Sequence, residues 1–158
     1  MTTPNIQPLL DLTTANVPEP VGRDWNALLT QTLATFDCTA GTLHKLDPET
    51  GLLTLVAYAG MPEFLLPKIS QIPVGKGMAG IAAERREAVQ LCNLQTDESG
   101  VARPAARDTK VEGSIAVPLL LDGQLHGTLG IAKPVPYDFP EAEVAALMHL
   151  GEAISRVL

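Results

Sequence analysis

With 158 residues, 46% of them apolar and 18% charged, the chain can bury one sizeable core but is too short for a second ordinary domain. Eighteen Asp and Glu against eleven Lys and Arg give a net charge of -7, and no basic run interleaved with aromatics occurs, which argues against a nucleic-acid partner. No apolar stretch reaches the length of a membrane span, and MTTPNIQPLLDLTTANVPEP has no basic segment ahead of an apolar run, so no membrane association and a cytoplasmic location are expected.

Residues 1–21 carry Pro4, Pro8, Pro18 and Pro20 without sustained periodicity and read as an extended arm, leaving 22–158 as a single domain. Asp24 can cap a helix running to about Phe36, with Trp25, Leu28, Leu29, Leu33 and Phe36 on one stripe. The stretch from Cys38 to Leu46, a Pro-Gly turn over Asp47 to Gly51, and the stretch from Leu52 to Tyr58 predict a hairpin. Strict alternation would put Leu53, Leu55 and Ala57 on one of its faces. Gly60-Met61-Pro62 opens a short helical turn with Phe64, Leu65 and Leu66, its length limited by Pro67.

The chain is organised around Ile72 to Leu94, IPVGKGMAGIAAERREAVQLCNL. Gly75 and Gly77 allow a tight turn, and Met78, Ile81 and Ala82 share one face of a short helix before a strand over Ala88 to Leu91. Cys92 to Gly113 shows no periodicity, and a connection of that length reads as a lid or binding loop. It carries Asp97, Glu98, Arg103, Arg107, Asp108, Lys110 and Glu112, and the three basic residues there could gather around an anionic ligand. Ser114 to Leu121 and Gln124 to Ala132 form a second hairpin through Asp122-Gly123, with Gly127 and Gly130 marking close approach of a backbone or a ligand. Asp138 and Glu141 have capping-box spacing, and a wide apolar stripe in the following helix predicts a homodimer through the terminal helices.

This order of elements resembles the GAF domain, as do the pieces IPVGKGMAGIAAERREAV, SIAVPLLLDGQLHGTLGIA and DFPEAEVAAL, the likeness running from Arg23 to Leu158. The resemblance implies an α+β fold: an antiparallel sheet with the N- and C-terminal helices on one face, and short helices and a lid loop over a pocket on the other. It implies a small-molecule sensor or regulatory module in signal transduction, with Tyr58, Met78, Ile81, Cys92, Arg107, Asp108, Ser114 and Gly130 as hypothetical ligand-binding residues. The ligand or cofactor stays unidentified, and a possible protein partner joins the expected homodimer. The alternative is a ligand-free dimeric interaction scaffold.

The family also contains the free methionine-R-sulfoxide reductases, small single-domain enzymes whose chemistry needs an attacking thiolate and a resolving thiol. Where those enzymes resemble this chain, their cysteines match Ala79, Ile69 and Arg107, the last beside Asp108, and their two substrate-binding aspartates match Gly130 and Ala132. Only Asp108 keeps the functional side chain, so a reductase-like enzyme stands as the third reading, behind the sensor and the scaffold.

Cys38 and Cys92 read as neutral packing thiols. His44 and His126 read as satisfied sheet histidines and His149 as a helix-face residue, so no metal site is expected. Gly75-Lys76-Gly77 lacks the spacing and the Lys-Ser/Thr ending of a phosphate loop and reads as a structural turn. No nucleophile, base and orienter set is visible, and no catalytic site is expected.

Overall fold

A computed structural model describes residues 4–14, 23–97, 99 and 109–158. Six strands, β1 (Ala40–Asp47), β2 (Leu52–Ala59), β3 (Gln71–Pro73), β4 (Val89–Leu91), β5 (Ser114–Leu121) and β6 (Gln124–Ala132), form one sheet in the order β3-β2-β1-β6-β5-β4. All neighbouring pairs are antiparallel. Strand β5, flanked by β6 and β4, is buried from Ser114 to Leu119, which is why its sequence is almost continuously apolar rather than alternating. Asp122 and Gly123 both take positive φ, the geometry that a two-residue hairpin turn requires.

Helices α2 (Trp25–Thr35) and α5 (Glu141–Ser155) cover one face of the sheet. Asp24 caps α2 as expected, its carboxylate accepting from the Ala27 N–H. At the other end of α2, the buried Lys133 ammonium donates to the Phe36 and Asp37 carbonyls at 2.6 and 3.0 Å, a positive charge where the helix dipole favours one. Leu28, Leu29, Leu33 and Phe36 of this layer pack with Leu147, Leu150 and Ile154 and with Leu43, Val117 and Leu129 of the sheet. The opposite face carries a 3-10 turn (Glu63–Leu65), α3 (Leu66–Ile69) and α4 (Gly77–Arg85).

Several expectations are corrected. Residues Gln7–Thr14, read as part of an extended arm, form helix α1, with Leu9 fully buried against the α2/α5 layer. A helix of eight residues has no stability of its own and exists through this packing; residues 1–3 and 15–21 of the arm lie outside the described residues. In β2 a register irregularity opposite Leu43 and His44 breaks the alternation, so Leu53 packs toward α4 while Ala57 faces α2. Pro67 lies in the first turn of α3 rather than ending the preceding turn, and Gln71–Pro73 pairs with β2 as an edge strand. Pro140, not Asp138, occupies the N-cap of α5, and no side chain caps that end.

Candidate functional site

Between the sheet and the α3/α4 layer lies a cavity of about 150 Å³. Its floor follows from the pairing register: Ala40, Ala132 and Ser114 stand side by side on β1, β6 and β5, and Thr42, Gly130 and Ala116 make the next row. Small side chains on adjacent strands leave room that large ones would fill. Gly130 shows this directly, since a Cβ there would meet only Thr42 Oγ1 at 3.4 Å and the Ile115 carbonyl at 3.8 Å. Leu65, Ile69, Met78 and Ala79 form the roof, Leu94, Thr109 and Val111 a wall, and the exposed Lys68 and Lys76 also border the space.

Two features of this shell are polar and unpaired. His44 is 1% exposed and lines the cavity; its Nε2 lies 2.8 Å from the Ile69 carbonyl, while Nδ1 is buried without a partner. Burial pushes its pKa below the ordinary 6.5, outweighing the bond to Ile69, so the ring is neutral, Nε2 carries the proton and Nδ1 is an acceptor. Thr128, paired with His44 across β1 and β6, also has a buried hydroxyl without a partner. The second feature is the start of α4. Lys76 at its N-cap offers no capping side chain, and the N–H groups of Gly77, Met78 and Ala79 find no acceptor among the described residues. All three residues line the cavity.

Of the residues expected from the sequence, Met78, Ser114 and Gly130 line this cavity. Tyr58 pairs with Thr42 one strand further out and does not reach it. Ile81 packs instead toward Ala82, Val89 and Ala116, because a helix this short turns only part of its apolar face to the cavity. Cys92 is exposed just beyond β4, contrary to both its packing and its ligand-binding readings, whereas Cys38 is half-buried and burial raises its pKa to about 12. Arg107 and Asp108 lie outside the described residues, as do Glu98 and Arg103, while the described part of the expected lid supplies Leu94, Thr109 and Val111 to the wall. His44, which the sequence reading did not place here, lines the cavity, and its expected satisfaction is corrected to half: one ring nitrogen is bonded and the other is not. No local signal marked it, because β1, AGTLHKLD, mixes polar and apolar residues along its length.

An antiparallel sheet with terminal helices on one face and a roofed cavity on the other defines a class of small regulatory domains. The GAF-domain family profile matches residues 26–158, and the chain belongs to that family. Two relatives mark its neighbourhood. Protein YtsP of Bacillus subtilis (strain 168) is 26% identical over 110 residues, 70% of this chain and 62% of that protein, so the chain spans less than two thirds of that relative's length. The free methionine-R-sulfoxide reductase of Escherichia coli (strain K12) is 28% identical over 154 residues, 87% of this chain and 86% of that enzyme. Among solved structures, the GAF domain of a Coxiella burnetii phosphoenolpyruvate-protein phosphotransferase superposes with a TM-score of 0.77 at 21% identity, covering 97% of this chain and 92% of that one. The free methionine-R-sulfoxide reductase of Neisseria meningitidis, in complex with its substrate, superposes with a TM-score of 0.71 at 20% identity, covering 94% and 82%. These likenesses show the fold. GAF domains are commonly regulatory or sensory, and among the described residues no helix is long and apolar enough to cross a membrane.

Proposed function

We propose that this chain, over residues 22–158, is a small-molecule-sensing GAF domain without a catalytic site, acting in signalling through dimerisation or a protein partner. The observation that carries this reading is the cavity. Small floor residues leave about 150 Å³ between the sheet and the α3/α4 layer, room for a small molecule whose binding would stabilise the native state.

The likeness to the reductases supports a shared pocket more than a shared reaction. Four of the positions matched to reductase functional residues, Ile69, Ala79, Gly130 and Ala132, all line the cavity, and each carries an apolar residue or glycine. Neither Cys38 nor Cys92 lines it, and sulfoxide reduction requires a thiolate against the sulfur. Incubation with free methionine-R-sulfoxide and a thiol reductant is expected to give no turnover; turnover that disappears in Cys92→Ala would overturn the reading.

A ligand signals only by binding two arrangements of the molecule unequally. The proposed exit is the helix layer, where α1 packs on α5 and α2, so the surface offered to a second copy includes α1. Sedimentation should give dimers at tens of micromolar, and a monomer would remove this route. Native mass spectrometry of the freshly purified protein, beside a thermal-shift screen of metabolites, tests the sensor itself. A copurified small molecule or a saturable shift is expected, and the absence of both would favour the ligand-free scaffold.

A further inference from the structure

We propose that two copies of this chain associate by exchanging α1, so that the helix of each copy fills the apolar groove that α2 and α5 build on the other. The exchange rests on the dimer proposed above and names the surface that forms it.

With α1 in place, the outward surface of the helix layer is polar. On α5 its exposed positions are Glu141, Ala145, His149 and Glu152, and on α2 they include Asn26, Thr30 and Gln31. Of the large apolar side chains exposed among the described residues, only Val157, just past α5, lies beside this layer. A lasting homodimer buries a largely apolar centre, and this surface presents none. The stripe that made α5 look self-complementary is already spent: Leu147, Leu150 and Ile154 are in the core, and Val144 and Met148 are packed against it. The apolar surface left for association is the groove that α1 covers.

Helix α1 is held by that groove rather than by itself. It has eight residues, with Pro8 in its first turn, no acidic side chain at its start and no basic one at its end. Leu9 and Thr13 are buried, and Arg23 Nη1 donates to the Leu12 carbonyl at 2.8 Å. Its packing partners, α5 and α2, are presented identically by a second copy. Reciprocal exchange therefore keeps each contact and exposes no new apolar side chain.

The sequence between α1 and α2 favours the exchanged form. Residues 15–22, outside the described residues, contain Pro18 and Pro20, which fix their own φ and bias Val17 and Glu19 toward extended backbone. That bias opposes the return needed to seat α1 on its own chain. An extended connection of this length reaches about 25 Å, more than twice the spacing of packed helices.

The test uses the full chain, with carbon-13-labelled and unlabelled copies unfolded and refolded together in equal amounts. Isotope-filtered NOE spectra should show cross-peaks from the Leu9 methyl groups of the labelled copy to protons of the unlabelled one. In sedimentation equilibrium, Leu9→Asp, whose carboxylate cannot enter an apolar groove, should associate at least about a hundredfold more weakly than the wild-type chain. Should that variant fail to fold, the labelled mixture decides alone. Wild-type dimers without cross-copy peaks at Leu9, or a folded Leu9→Asp chain that associates as strongly as the wild type, would overturn the exchange and leave the dimer standing. A wild-type chain that stays monomeric at tens of micromolar removes both.

Discussion

The two faces of this sheet share the same strands but are built to opposite ends. Toward α2 and α5 the strands present Leu43, Val117, Leu119, Leu129 and Ile131, which interdigitate with helix leucines and leave almost none of them exposed. Toward α3 and α4 the same strands present Ala40, Thr42, Ser114, Ala116 and Gly130, and a cavity remains. Adjacent residues of one strand therefore serve the packed core and the cavity separately, and the pleat keeps the two faces apart.

Breaking the packed face should have the largest effect. Leu150→Ala removes a fully buried side chain from the helix layer and should lower unfolding free energy by about 2–5 kcal/mol in a urea titration. A sharper contrast comes from two glycines on adjacent strands. A Cβ at Gly41 would sit 2.8 Å from the Gly130 carbonyl oxygen and 2.9 Å from Leu33 Cδ2, so Gly41→Ala should destabilise by about 1–3 kcal/mol. At Gly130 the Cβ meets ordinary contacts on the cavity floor, so Gly130→Ala should stabilise by about 0.5–1 kcal/mol. The same change should weaken whatever ligand is found. If both alanines destabilise alike, the two faces do not differ as described.

His44 gives the cavity face its own pH signature. Its folded pKa lies below the unfolded 6.5 because burial disfavours the charged ring, so the unfolded chain takes up the proton first. The stabilising contribution of the neutral ring is complete above about pH 6.5 and is lost as pH falls from there through the lower folded pKa. In His44→Phe the melting temperature should fall less steeply across that window, and an unchanged slope would assign the titration to another group. The smallest effect is chemical. Cys92 is exposed, whereas burial pushes Cys38 to about 12, ahead of a smaller opposing pull from Lys133. Limited iodoacetamide treatment at pH 8 should label Cys92 at least roughly a hundredfold faster than Cys38, with melting temperature unchanged after the first label.

Resemblance over the domain pointed to the family, and the sequence by itself determined the order of the main elements from α2 to α5, the Asp24 cap and the Asp122-Gly123 turn. These rest on local periodicity and turn chemistry, which act over a few residues and can be read there. Met78, Ser114 and Gly130, named through the family resemblance, line the cavity. Only tertiary structure decided the rest. Helix α1 exists because Leu9 finds a groove that distant helices build. The β2 irregularity, set by pairing with β1, moved Leu53 and Ala57 to opposite faces. The cavity is a property of rows across three strands and a roof far along the chain, so no local pattern marks its lining or the unpartnered buried nitrogen of His44. Pairing register and packing select which side chains meet, and neither is encoded in the neighbours of any one residue.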